Sequence, residues 1–335
     1  MRSLAAVLLV PFIACAAPGQ APAGDDDQTD AGTGVDPGGL PIPERGFQIQ
    51  SPMLDIQPGA EVTYCYYFRT PNTSELSIKQ WVSRMTPGSH HMILYLTPSD
   101  QQPPGTVSTN LCGISSGSTG PVWTYSAQTA DAQAILPDDD GEGNPVGQVI
   151  PAGQSGFLQM HYLNASDNVI HARVVLNAVA YPDRVQVTPA APYVTFNRQI
   201  NIGPVTPAGP TKSMVSGTCP VPMESGKPPR FYVMTTHTHK QGVHTFVKDG
   251  EKADGTTIFD STSWEHPGAT AWDKMPFFQF TSGKLSYQCE YENPNNRTIK
   301  TGDSAETDEM CMAIGYYFPA PGSTGHFCLN SALIY

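Results

Sequence analysis

His237-Thr238-His239 and the segment Asp308-Glu309-Met310-Cys311-Met312 carry the side chains best suited to hold a transition metal. Two imidazoles two residues apart on a strand project from one face, so both can reach a single ion. A methionine from a separate strand would add a soft thioether, a donor that favours Cu(I) over hard cations. Strand alternation puts Met310 and Met312 on one face and Cys311 on the other, so spacing alone does not choose between the methionines. The bland alternative is a pair of strand histidines at a sheet rim open to solvent, with the methionines in a core. His244 is a nearby competitor, but Lys240-Gln241-Gly242 reads as a turn that breaks its parity with His239.

A second set lies in the other half of the chain: His90, His91 and, in Leu158-Gln159-Met160-His161-Tyr162, His161. Neighbouring residues of a regular strand face opposite ways, so joint use of His90 and His91 requires a bulge or turn, for which Thr86-Pro87-Gly88-Ser89 supplies the break. Three imidazoles suit copper or zinc about equally. Taken with the first set they suggest a two-copper redox protein. His171, His266 and His326 have no companion at ligand spacing and read as structural or surface residues. Asp139-Asp140 sits in turn sequence and reads as solvated. Phosphate loops and the HExxH metal motif are absent.

The elements that must position these side chains are strands. Short apolar runs alternate with turns rich in the 31 glycines and 32 prolines. Strands are expected over Val62–Phe68, Met92–Leu96, Phe157–Leu163, Ala172–Ala180, Phe231–Thr235, Phe277–Phe280 and Cys311–Phe318, and no stretch keeps a helical apolar period. The reading is all-β: two antiparallel β-sandwich, jelly-roll-like domains in tandem, residues 45–186 and 187–335, joined near Pro182–Pro192.

The 335-residue length allows two cores, and a formal net charge of -12 with pI near 5.1 argues against a nucleic-acid partner. Residues 1–15 read as an export signal: Arg2, then an apolar run too short to span a membrane. Its end, Phe12-Ile13-Ala14-Cys15, resembles a bacterial lipoprotein processing site, with Cys15 lipidated and anchoring the protein to a membrane; an ordinary cleaved signal is the alternative. Residues 16–44 read as a disordered tether. Both alternatives imply export, to the cell envelope or beyond. The other six cysteines, Cys65, Cys112, Cys219, Cys289, Cys311 and Cys328, suit disulfides, in any of 15 pairings.

Four motifs occur together and in order: Ser89-His90-His91-Met92, Gln159-Met160-His161-Tyr162, His237-Thr238-His239 and Asp308-Glu309-Met310-Cys311. Over roughly residues 45–335 the chain resembles the copper type II, ascorbate-dependent monooxygenases, the family of peptidylglycine α-hydroxylating and dopamine β-monooxygenases. The resemblance implies two copper ions per chain, with ascorbate or a similar small reductant and O2 as co-substrates. His90, His91 and His161 would hold an electron-transfer copper; His237, His239 and Met310, preferred over Met312, would hold the oxygen-activating one. Gln159 matches a residue near the inter-copper route. The implied disulfides are Cys65–Cys112, Cys219–Cys328 and Cys289–Cys311; further cysteines of the animal enzymes are missing.

Substrate recognition departs from the family. In its peptide-amidating members an Arg, an Asn and a Tyr grip the peptide carboxylate, and those positions fall here at Thr235, Met312 and Ile314. A carboxylate brought there would lose its charge-assisted bonds, so a more apolar small molecule is expected. The expected activity is hydroxylation of a C–H bond in a small organic substrate. The rivals are an exported copper-binding or redox-relay protein on the same scaffold, and a surface module with incidental histidines.

Overall fold

The computed structural model describes residues 39–109, 112, 120–252, 254–304, 307–322 and 324–334. The expected signal at 1–15, Cys15 and most of the tether lie outside the described residues. Every regular element among the described residues is a β-strand.

Residues 46–189 form two main sheets. One has the spatial order Gly46–Gln50, Val174–Ala180, Leu76–Met85, Val146–Ile150, Thr188–Pro189, with Asp131–Ile135 also paired to Leu76–Met85; the other runs Val107–Ser108, Glu61–Arg69, Ser155–Leu163, Ser89–Leu96, Val122–Ala127. Residues 191–333 repeat the plan. A six-stranded sheet orders Thr270–Ala271, Arg230–His237, Met312–Phe318, Ala191–Phe196, His326–Leu329 and Ala332–Leu333, and faces a sheet of Thr211–Pro220, Lys284–Asn293, Gly242–Asp249 and Thr256–Ser261. Thr188–Pro189 pairs with Val146–Ile150, whereas Ala191–Phe196 pairs with Met312–Phe318 and His326–Leu329.

Each half is a sandwich because one face of each sheet is apolar. Phe47, Ile78 and Trp81 pack with Met92, Leu94, Leu158 and Met160 in the first half; Tyr193, Phe231 and Tyr317 pack with Val247, Leu285 and Tyr287 in the second. The other face of two of these sheets is buried as well. Ile93, Tyr95, Trp123 and Phe157 from the first half meet Val194, Phe196, Met312 and Ile314 from the second in a third apolar cluster. This alternation fixes the histidines. Slipping Ser89–Leu96 by one residue would exchange the two faces and drive His91 into the apolar sandwich core in place of Met92 and Leu94. The odd-numbered His91 and His161 are thereby held toward the opposing half.

The three expected disulfides, Cys65–Cys112, Cys219–Cys328 and Cys289–Cys311, are present. Two expected strands differ. Ala172–Ala180 is interrupted at Arg173, whose backbone exchanges hydrogen bonds with Thr86, leaving Ile170–Ala172 and Val174–Ala180 as separate strands. Phe277–Phe280 is not a strand: only Phe278 pairs, with Phe231, after a proline that has no N–H to donate. Its aromatics serve packing instead, Phe277 against Phe318 and Phe278 against Trp272. Asp140, expected to be solvated, is buried. Its carboxylate accepts the Glu142 and Asn144 N–H groups and bonds Thr188, so the turn closes over it.

Candidate metal centre

His91 and His161 are direct cross-strand partners, while Tyr162 pairs with Ser89. His90 is therefore the extra residue of a β-bulge, which lets two sequential histidines face one way. The ring centroids of His90, His91 and His161 lie 5.0–5.3 Å apart, and one ring nitrogen from each lies within 4.8 Å of the others. The Nδ1 atoms of His90 and His91 are 3.1 Å apart. Glu61, on the neighbouring strand, orients the third ring: His161 Nε2–H donates to Glu61 Oε1 at 2.9 Å. His161 Nδ1 is left buried with no hydrogen-bond partner. A lone pair in that condition is costly unless an acceptor such as a metal ion completes it, and carboxylate–His pairs commonly support metal ligands.

The second set forms where a strand ends. His237 closes Arg230–His237 opposite Met312. His239 opens a turn in which Gly242 N–H donates to the His239 carbonyl at 2.9 Å. No Cβ fits at Gly242, because it would collide with Thr238. His239 Nδ1–H donates to the Asp308 carbonyl at 3.2 Å, which leaves Nε2 as the ligand lone pair. The two rings are 5.2 Å apart. Met310 and Met312 both line the cavity that His237 and His239 enter. Cys311 points away into its disulfide, and Tyr291 Oη–H donates to the Met310 carbonyl, fixing the segment from behind.

Glu309 ties this set together. Its carboxylate is completely buried and accepts backbone N–H groups of His239, Gln241 and Met310 at 2.9, 2.7 and 3.2 Å. Burial pushes its pKa up to about 7 against the pull of those donors. The imidazoles respond in the opposite sense. Burial, followed by mutual repulsion among the rings, holds His91 and His237 well below the usual imidazole range, and burial lowers His239 to about 4. Neutral rings are the form that binds metals.

The rim exposure expected for His237 and His239 is not observed; both are buried, since the first half covers that end of the sheet. Gln159 lines the cavity between the sets and donates its amide to the Cys112 carbonyl. Met312 lines it too. Thr235 and Ile314 do not: the Thr235 hydroxyl donates to the Gly268 carbonyl, and Ile314 packs in the apolar contact between halves. His244 pairs with Asp260 and Glu290, His171 with Asp55, and His326 with Glu224, all outside the cavity. Sequence reasoning passed over Glu61, Glu309, Trp123 and Asp303, although Glu309 adjoins a candidate ligand.

No family model matches this chain. Among solved structures, one described as a triple jelly roll fold and turret assembly in an archaeal virus aligns at 10% identity, covering 86% of this chain and 62% of that one, with a TM-score of 0.19. The chain thus spans under two thirds of that neighbour's length, and a likeness at that score carries nothing about the histidine sites.

Proposed function

We propose that this protein is a copper-dependent monooxygenase that hydroxylates a C–H bond of a small organic substrate. The reading is supported above all by two chemically different donor sets close to one another: His237, His239 and Met310 line one cavity together with His91, whose partners His90 and His161 stand beside it. Copper bound there would supply one-electron storage and oxygen activation; the thioether fits Cu(I). The balanced reaction takes the substrate C–H, O2, two electrons and two protons to a C–OH product and water, the electrons coming from ascorbate or a similar one-electron donor.

The chain's own groups do the positioning. Glu61 holds the His161 ring so that Nδ1 faces inward, and the Asp308 carbonyl does the same for Nε2 of His239. Tyr95, Trp123, Phe196 and Met312 surround the donors with apolar surface and exclude bulk water. Among the described residues Asp303 lines the cavity and no arginine does, which favours a neutral substrate over a carboxylate. The three disulfides fit an oxidising compartment, consistent with export, and lipidation at Cys15 would add a membrane anchor.

The test is oxygen uptake by copper-loaded protein with ascorbate, screened over small aromatic and aliphatic substrates. Substrate-dependent uptake with one hydroxylated product per O2 is expected. Copper binding without uptake on any of them would favour an exported copper-binding or redox-relay protein, a reading that the engaged Thr235 hydroxyl also favours.

A further inference from the structure

Trp123 stands opposite Tyr95, Tyr95 opposite Phe157 and Phe157 opposite Tyr67, each on the next strand of the five-stranded sheet of the first half. Residues directly opposite one another share a face, so the four rings form one row across Val122–Ala127, Ser89–Leu96, Ser155–Leu163 and Glu61–Arg69. Successive ring centroids are 5.7, 4.9 and 5.3 Å apart. One end lies beside the candidate metal centre, with the Trp123 ring 6.3 Å from that of His237. The other end lies one two-residue strand from the sheet edge, where Tyr67 is 7% exposed.

Four phenylalanines would fill this space as well. Trp and Tyr instead bring polar groups into an apolar contact that also holds Val194, Phe196 and Ile314. The Trp123 Nε1–H is buried without a hydrogen-bond partner; the Tyr316 phenol is near it but not in bonding geometry. A buried indole ordinarily finds an acceptor, and leaving its N–H unpaired is costly. What indole and phenol offer, and a phenyl ring does not, is an electron removable at moderate potential. Three of the four rings have that property, and Phe157 touches the tyrosines on both sides of it.

Resting on the copper reading above, we propose that this row feeds electrons to the second donor set when O2 reacts there with no substrate in place, and so spares the ligands from oxidation. Hydroxylation takes two of the four electrons that reduce O2 from the substrate C–H bond. Without substrate those two come along the row, and O2, four electrons and four protons give two molecules of water. Trp123 gives one electron and its Nε1 proton into the cavity it lines, and Tyr95, lining the same cavity, restores both from its phenol. Tyr67 passes an electron to Tyr95 past Phe157 and sheds its phenolic proton to solvent, from which Tyr95 regains one. The small reductant named above returns an electron and a proton to Tyr67. The ligand most in need of this protection is Met310, whose thioether oxidises to the sulfoxide.

The test uses the full copper-loaded chain, reduced with ascorbate and exposed to O2 without organic substrate. Freeze-quench electron paramagnetic resonance should show an organic-radical line that narrows when the tyrosines are ring-deuterated. Peptide mass spectrometry should find Met310, His237 and His239 largely unoxidised. Trp123→Phe and Tyr95→Phe keep an aromatic ring but remove the electron donor; each should lose the tyrosine radical and raise the oxidised fraction of those ligands several-fold. If either variant does not fold, Tyr67→Phe interrupts the same row near the sheet edge. Absence of an organic radical in the unmodified chain, or ligand oxidation unchanged in the variants, overturns the row and leaves the monooxygenase reading standing. Failure to bind copper overturns the functional reading, and the row with it.

Discussion

The two donor sets are built by opposite means. His90, His91 and His161 sit within a five-stranded sheet, where a bulge turns a backbone irregularity into ligand geometry and a side chain, Glu61, aims a ring. His237, His239 and Met310 sit past or at the ends of strands, where a turn, a buried carboxylate and a disulfide hold backbone rather than rings. The difference is physical. A sheet interior already fixes its backbone, so only ring rotation remains to be set. Beyond a strand end there is no ladder partner, and the loop must be tied by other groups. The first set should therefore be sensitive to changes in ring partners, and the second to changes in the donor itself or its backbone ties.

The largest effect is expected from Met310→Ile. It removes the soft donor while keeping an apolar side chain of similar size, so folding and copper at the first set should persist while ascorbate-driven O2 consumption is lost. Uptake unchanged in this variant would transfer the role to Met312, which lines the same cavity. Next comes Glu61→Gln, which weakens the bond that aims His161. A loss of roughly 10–100-fold in copper affinity is expected at the first set, as for other supporting partners of metal ligands. The second set should keep its affinity in a chelator competition. Equal losses at both would dissolve the contrast drawn above.

The proton separates these histidines from ordinary ones. Metal and proton compete for one lone pair, so an imidazole of ordinary pKa begins to lose metal below pH 6.5, about tenfold per unit. With its pKa lowered to about 4, His239 stays unprotonated through pH 5. Protonation of His239 should therefore weaken copper binding at the second set only as the pH approaches 4, and a loss between pH 7 and 5 would report Glu309, whose pKa is raised to about 7, releasing its backbone donors. His244 lies on the solvent side, where Asp260 and Glu290 outweigh partial burial and raise its pKa. In an NMR titration of metal-free protein it should titrate above the usual imidazole range while His239 remains silent. A His239 midpoint near 6.5 would mean that the ring is not buried in solution.

Much of this architecture was legible in the chain. Apolar runs bounded by turn sequence, such as Phe157–Leu163 and Met92–Leu96, identified the strands, and the adjacency of His90 and His91 required a bulge or a turn, of which the bulge is present. The disulfides followed from the resemblance and not from spacing. What stayed hidden depends on contacts between distant segments. Glu61 lies 100 positions from His161, and only strand pairing brings them together. His237 and His239 looked like rim residues because the half that covers them is specified elsewhere. Phe277–Phe280 had strand composition, but composition does not show whether an edge is available to pair with; here its rings fill gaps between sheets.

The smallest expected effect concerns the contact between Trp264 and His90. Trp264 stacks on His90 from a loop of the opposite half and is itself only partly buried, so replacing it should not disturb either core. Aromatic pairs of this kind contribute about 0.5–1.5 kcal/mol, which corresponds to roughly a two- to tenfold change in an equilibrium. Trp264→Ala should lower copper affinity at the first set by that amount and leave the second set and the melting temperature near their original values. His90 is the residue to watch, because the bulge that frees it from the sheet also deprives it of a regular place in the ladder. If affinity falls, the first set is completed by the second half of the chain and ligand geometry is a property of the closed molecule. If it does not, the bulge and Glu61 suffice, and the stacking of Trp264 on His90 only follows from closure.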